Sequence, residues 1–495
     1  MTRCCKSASN KYRRMMNLAF RILALISIKS LTLLSAFQPS EQTNQKNSPR
    51  CSAYNHVDQI EDPSEVGASP SRDIKALESW AEGQGVYRGA GFVLSESDDG
   101  DWSVAVTSDG TVGERVLRVP SSLVISSVEI RQEKEIFDHA STAIEHLKKN
   151  KLESQVDHFL LWLKVLREYE KGEDSKFYPW LSSLPRTFSN AICMDEVELE
   201  CLAPFAWSLA KIEILHKDKF IEALQSTSGI VSQETGENYE LLRWAFNVVF
   251  TRCWGQDGDE EENRKDLVPM GDMFNHRHPG NVAIVYDEDR NCNIILKGNV
   301  KPGDTLHLSY GFPSNPYRFS VVFGFVDESL EAIYSQLLSA KPTKRHVDMG
   351  YNVEKMTFNT TDGSFTEEVW DFVLYSLLEQ VPEIQEAYYD AHVSGNEDRK
   401  NSIRRKFYLE TCIMLKKHVD KTLLEMENLI NKVDQYDIND HDLLPMIRRN
   451  NIFVAETFSK VKYNVDRMIQ EEMVARKAHE KQQQQQQQKM MYKEL

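Results

Sequence analysis

Two spacings of apolar residues alternate along the chain. Between about 129 and 242 apolar positions recur every three and four residues, most clearly over 130–152 and 155–170, as amphipathic helices require. On either side of that block the pattern is different. Short β-rich runs broken by Gly, Pro, Asn and Asp lead up to Val119-Pro120 and resume after the helical block. The run VAIVYDEDRNCNIILKGNVKPGDTLHLSYG predicts two strands around the turn residues Asp289 to Asn293, then a turn at Lys301-Pro302-Gly303-Asp304. Beyond Val326 the helical spacing returns over 367–378, 403–417, 419–433 and 452–480, and the glutamines at 482–488 predict a disordered polar tail. Strands, helices, strands and helices in that order predict an α+β architecture: a β-fold split by a helical insert, followed by an all-α C-terminal domain.

The candidate chemistry is concentrated between Pro269 and Val326. Asp272, Asn275 and His276 stand at i, i+3 and i+4, so one helical turn or tight bend would put all three on one side. An Asn side chain and a neutral imidazole each both donate and accept hydrogen bonds, which suits a ligand with an amino group and a purine edge. Tyr310 falls at the end of a predicted strand, directly before Gly311, where the backbone can turn sharply.

These residues resemble a known family. The D-x-x-N-H run at 272–276, Ser309-Tyr310-Gly311, Ser314-Asn315 and Gly324-Phe325-Val326 are similar to the C-terminal half of a SET-domain protein methyltransferase. More narrowly they resemble the class of the plant Rubisco large-subunit lysine methyltransferase, whose SET fold is split by a helical insert and followed by a helical substrate-binding domain. Trp80-Ala81, Val119-Pro120-Ser121-Ser122-Leu123, Leu181-Ser182-Ser183-Leu184-Pro185 and Thr251-Arg252 extend the match over roughly 75–480. The resemblance implies a SET domain at 75–328 with its insert at 129–242, a helical substrate-binding domain at 329–480 and a Gln-rich tail at 481–495.

It also implies S-adenosyl-L-methionine as cofactor, a protein substrate and no metal. Tyr310 would be the catalytic phenol, pointed at the transferring methyl. Asn275, His276, Arg252, Ser103, Phe323 and Phe325 would bind the cofactor, with Asp272 and Trp254 on the substrate side. The family has a G-x-G-leucine turn beside the methionyl end of its cofactor, and counting back from Val119-Pro120 places Asp101-Trp102-Ser103-Val104 there. Ser103 restricts positive φ where the family has Gly; Gly100, or the more distant Gly89-Ala90-Gly91, is the alternative turn. Phe323 stands where the family often has Tyr, which keeps stacking and loses a hydroxyl.

Trp254 bears on the acceptor. At this position lysine-modifying members carry an aromatic residue and the actin-histidine methyltransferases carry Asn. A broad apolar wall suits an aliphatic lysine stem and offers little to an imidazole. The expected activity is therefore protein-lysine N-methylation, with Rubisco large subunit or aldolase as family-suggested targets. A catalytically silent SET-fold binding module and a protein-histidine methyltransferase are the alternatives.

Composition narrows the picture. Fifty-nine basic residues against 75 acidic ones give a net charge of −16, which argues against nucleic acid as a partner. The eight cysteines include no C-x-x-C pair, and a calcium loop counted from Asp257 would have Glu262 and Val268 where Gly and Glu are needed. The N-terminus is cationic, and the apolar stretch at 17–37 is interrupted by Arg21 and Lys29, which reads as a signal peptide over 1–36. Ser35-Ala36-Phe37 and the polar stretch after it resemble the bipartite presequence of algae with secondary plastids, with transit peptide and linker over 37–74. The expectation is a plastid protein, monomeric and without a membrane segment in its mature form; secretion and a cytoplasmic location are the alternatives.

Overall fold

The computed structural model describes residues 72–97, 101–255, 264–311, 315–334, 343–351 and 355–494. Residues 1–71, which hold most of the expected signal and transit segments, and Ser314 lie outside the described residues. The described residues divide into two compact units: those up to Leu330 together with Leu429–Phe453, and those of Glu331–Asn428 together with Val454–Leu495.

In the first unit the strands form small sheets. Strands β1 (Tyr87–Arg88), β4 (Arg115–Val119), β10 (Cys292–Leu296) and β9 (Val282–Tyr286) lie side by side in that order. A second sheet runs β2 (Phe92–Glu96), β3 (Trp102–Val106), β11 (Thr305–Leu308) and β8 (Asn275–His276). A third joins β5 (Ile125–Ser126), β7 (Lys265–Leu267) and β6 (Trp254–Gly255). The pairing is antiparallel except between β11 and β8, which are parallel, with Leu308 opposite His276.

The predicted hairpin is present, and its turn has a visible cause. The Asp287 carboxylate accepts from Asp289 N, Asn291 N and the Asn291 and Asn293 side-chain amides, so one acid satisfies the donors of the whole bend. The Lys301–Asp304 turn is also formed, closed by Asp304 N donating to Lys301 O, with Gly303 at positive φ. Cys292, Ile294 and Leu296 of β10 are buried, as is Asn293, so both faces of that strand are covered.

The insert is helical throughout its framework, with helices at Lys134–Lys149, Val156–Glu170, Pro204–Gln225 and Tyr239–Arg252. Its last helix continues ten residues past the expected end at 242 and delivers Arg252 to the strands. Helix Val156–Glu170 buries Phe159, Leu160, Leu161, Trp162 and Leu163, so nearly its whole circumference is core. Phe159 meets Phe220 edge-on at 5.1 Å, and Phe246 stacks on Phe250 at 4.0 Å. The polar end of Trp162 is satisfied by Leu242 O at 3.0 Å. Truncating such a ring to Ala costs about 3–5 kcal/mol, so this cluster holds the insert rigid beside the strands.

The second unit is helical apart from a two-stranded pair, β12 (Ala332–Tyr334) with β13 (Thr357–Asn359). Helices follow at Glu367–Leu377, Pro382–Val393, Glu397–Lys406, Tyr408–Val433 and Leu444–Glu494. The stretch expected at 403–417 is divided at Phe407, its first residues closing helix Glu397–Lys406, and its remainder runs on into the stretch expected at 419–433 as the single helix Tyr408–Val433. The glutamine run departs from the expected disordered tail: it is helical to Glu494. Gln is a good helix former, and Gln483 bonds His479 four residues back at 2.9 Å.

Candidate active site

Asn275 and His276 form the two-residue strand β8, entered from a 3-10 turn at Gly271–Met273. Successive residues in a strand point to opposite faces, so the expected one-sided arrangement of Asp272, Asn275 and His276 does not occur. Each of the three reaches a different set of partners.

His276 is the centre of the first set. Its Nδ1 accepts from Tyr310 N at 3.0 Å and its Nε2 lies 3.1 Å from Asp327 Oδ2. Its ring stacks on Phe319 at 4.4 Å and lies 5.1 Å from Tyr310 and 5.8 Å from Phe325. Both ring nitrogens are taken up inside the protein, so the imidazole holds strands together and has no atom left to read a ligand. Asp327 also accepts from Ser329 N and Ser329 Oγ. Burial pushes its carboxyl up, but these bonds and that from His276 outweigh it and hold the group below the ordinary carboxylate range.

Tyr310 follows β11 immediately before Gly311, which has φ +82°. Its hydroxyl donates to Phe274 O at 2.9 Å. Burial pushes the phenol well above its ordinary value, with Arg252 opposing, so the group is a proton-bearing donor at neutral pH. Phe323 lies 5.0 Å from its ring. Phe323 and Phe325 flank Gly324, which has φ +83° and lies so close to Ser189 O that a Cβ would come within 2.5 Å of it. A π-helical turn at Phe319–Phe323 precedes it, a form frequent at functional sites.

Asp272 belongs to the second set. Its side chain is fully buried and its Oδ2 accepts from Trp180 Nε1 at 3.1 Å and Arg252 at 3.1 Å. Arg252 also donates to Asp272 O. Such a pair braces the turn before Asn275 rather than presenting a carboxylate to a substrate. Asp272 Oδ1 and Arg252 Nε are nevertheless buried without a hydrogen-bond partner among the described residues, one acceptor and one donor left over beside each other's side chains. Arg72, read from the sequence as linker, joins them: it donates to Ser183 O and lies 3.7 Å from Asp101. Burial and the neighbouring Arg252 push its guanidinium down to about 10.

Asn275 completes the set by donating to Trp102 O at 3.2 Å and reaching Asp101 Oδ2 at 3.4 Å. The Asp101–Ser103 segment therefore lies against β8, where the resemblance expects the cofactor turn. Ser103 itself pairs with Ser95 in the strand ladder and is not at the contact with Asn275. Of the alternative turns, Gly100 lies outside the described residues and the other is used elsewhere: a Cβ on Gly91 would meet Thr107 Oγ1 at 2.4 Å, so Gly89-Ala90-Gly91 is packed against that loop.

Trp254, on β6, lies over the same turn from its other side. A Cβ on Gly271 would come within 2.9 Å of its ring, and its Nε1 donates to Tyr286 OH at 3.1 Å. The indole is thereby fixed in orientation as an apolar wall. Among the described residues one further group, Asp195, Glu198 and His441, has metal-capable atoms close together. Hydrogen bonds account for it: Asp195 and Glu198 form a helix capping box, His441 bonds Asp195, and Glu198 accepts from Leu443 N.

The sequence did not single out Arg72, Phe319 or Asp327. Asp327 directly follows the Gly-Phe-Val signature and was within reach; Arg72 had no signal, being brought to the site by the fold alone.

No protein-family model matches the chain. It is 24% identical over 279 residues to the actin-histidine N-methyltransferase of Drosophila melanogaster, covering 51% of this chain and 49% of that protein. It is 28% identical over 201 residues to the ribosomal lysine N-methyltransferase set10 of Schizosaccharomyces pombe, covering 38% and 36%. The chain thus spans about half or less of these curated relatives. Among solved structures, Rubisco LSMT bound to AdoMet superposes with a TM-score of 0.54 at 14% identity, over 82% of this chain and 93% of that one. The SET domain of LSMT bound to MeLysine and AdoHcy gives a TM-score of 0.58 at 14% identity, over 82% and 93%. The fold is that of the SET-domain structures of the Rubisco LSMT class, with its helical C-terminal region.

Proposed function

We propose that the chain is an S-adenosylmethionine-dependent protein methyltransferase whose acceptor is a lysine. The observation that carries this reading is the anchored Tyr310: its backbone is tied to His276 on β8 while its protonated hydroxyl is aimed at Phe274 O. The fit to the cofactor rests on Asn275 beside the 101–103 segment and on the two orphaned atoms of Arg252 and Asp272. Bound there, S-adenosylmethionine supplies a sulfonium methyl open to attack by an amine.

The chain's own residues do the positioning. Tyr310 remains a donor and Phe274 O an acceptor at the point where the amine and methyl must align, and in-line placement is the main source of rate in such a transfer. Burial around the aromatic cluster favours a neutral acceptor amine, since desolvation penalises its ammonium form. Trp254, held by Tyr286, offers a wall to an aliphatic stem and, with its N–H already committed, no free hydrogen bond for an imidazole. This favours lysine over histidine, the acceptor named for several relatives.

A second reading, a catalytically silent binding module, is favoured by Asp101 and Ser103 in place of the family's glycines. Calorimetry of the full chain with S-adenosylmethionine and S-adenosylhomocysteine separates the two. Micromolar binding, followed by radiolabelled methyl transfer into a plastid extract and mass spectrometry showing methyl-lysine, is the expected result. Absence of binding by a folded chain would favour the silent module, and methyl-histidine would overturn the lysine assignment. The proposed target class is an abundant plastid protein, such as Rubisco large subunit or aldolase, reached by the bipartite presequence. A fluorescent fusion of residues 1–74 that stayed outside plastids would overturn that placement.

A further inference from the structure

The bond between Tyr310 N and His276 Nδ1 has a chemical requirement. A backbone N–H can only donate, so Nδ1 must be unprotonated. The neutral ring then carries its proton on Nε2, which lies 3.1 Å from Asp327 Oδ2. Asp327 is a buried acceptor, its other oxygen taken by Ser329 N at 2.9 Å and Ser329 Oγ at 2.6 Å. The His276 side chain is 2% exposed and stacked on Phe319, so no water competes for either nitrogen. Asp327, His276 and Tyr310 thus form one chain of hydrogen bonds ending at the backbone of the residue whose hydroxyl reaches Phe274 O.

We propose that Asp327 is a positioning residue: it fixes His276 in the Nε2–H tautomer and so holds Tyr310 at the angle its hydroxyl needs. The inference rests on the methyltransferase reading for its kinetic consequence, but its structural claim does not. The opposite tautomer would aim a second N–H at Tyr310 N, break that bond and free the residue to swing about Gly311. A carboxylate is the acceptor that enforces the choice. An amide can still present its oxygen to Nε2–H, whereas Ala leaves Nε2 without a partner.

The test uses the full chain labelled with 15N-histidine, the His276 resonances being assigned by their loss in H276Q. In the wild type Nδ1 should show the shift of an unprotonated acceptor and Nε2 that of an N–H, whatever the activity. D327A should mix the tautomers and lower kcat at least about 10-fold while S-adenosylmethionine affinity stays within about threefold, and D327N should keep most of both wild-type signatures. A wild-type His276 protonated on Nδ1 would overturn the proposal. So would a D327A protein with unmixed tautomer, or one whose cofactor affinity falls in step with kcat while D327N fails equally, the mark of a merely structural role. An inactive wild type with the predicted tautomer would count against the methyltransferase reading and leave the linkage supported.

Discussion

Tyr310 combines a backbone anchored at N with a hydroxyl committed to Phe274 O, so its loss can be divided into chemistry and packing. Tyr310→Phe removes one oxygen and keeps the ring contact with Phe323. Turnover should fall about 100-fold or more, the scale of losing a positioned proton-bearing group, while calorimetric cofactor affinity changes less than about threefold. Unchanged turnover would remove the hydroxyl from the mechanism. His158 shows a different residue-scale effect. It stacks on Phe250 at 4.8 Å within the insert, and burial, then Lys265, Arg318 and His216, push it down to about 3. An unfolded histidine titrates near 6.5, so below that pH the unfolded chain takes up a proton the folded one refuses. Stability should therefore fall as pH drops from about 6.5 toward 3, by up to about 1.4 kcal/mol per unit from this one group. His158→Leu should flatten that slope in urea titrations between pH 6.5 and 4.5; His418, pushed down to about 4 by burial, leaves a remainder.

At the scale of elements, the site exists because short segments cross closely, as the chain does at Gly324. Its φ of +83° and the position of Ser189 O leave no room for a side chain. Gly324→Ala should destabilise the chain by about 2 kcal/mol or more from the left-handed backbone and the clash together, read as a lower urea midpoint. The variant should also lose turnover, because Phe323 and Phe325 on either side contact the rings of Tyr310 and His276. The elements differ in how far the sequence exposed them. The hairpin β9–β10 and the helix Val156–Glu170 were readable because their causes are local: the Asp287 turn, and apolar spacing. The motif residues Asn275, His276 and Tyr310 were readable as a pattern, but not the direction of each side chain, because β8 is two residues long and its strand character comes from β11. Arg72, Trp180 and Ser189 contribute through the tertiary fold, far from the motif in sequence. The glutamine helix was missed for the opposite reason: low complexity suggested disorder although each Gln favours the helix.

At the scale of the whole molecule, every described side chain assigned to the site belongs to the first unit, in its part up to Leu330. A ligand that binds only the folded form of that first unit stabilises it by mass action, about 2.7 kcal/mol at a concentration 100 times its Kd. For a unit of roughly 250 residues this corresponds to a rise in its melting temperature of about 5–10 °C. No described residue assigned to the site comes from the helical unit, so any separate transition that unit shows should not move. S-adenosylhomocysteine carries the same adenosine and amino-acid groups without the methyl, so it should act on the same transition. Differential scanning calorimetry with and without it checks this. A shift confined to the first unit supports a ligand seat at Asn275 and Arg252. A shift confined to the helical unit would mean that the ligand binds elsewhere and that the orphaned atoms beside Asp272 are not its seat. The variant Asn275→Ala supplies the internal control. Its side chain donates to Trp102 O beside the proposed seat, so its removal should abolish most of the ligand-induced shift while lowering the ligand-free melting temperature only slightly.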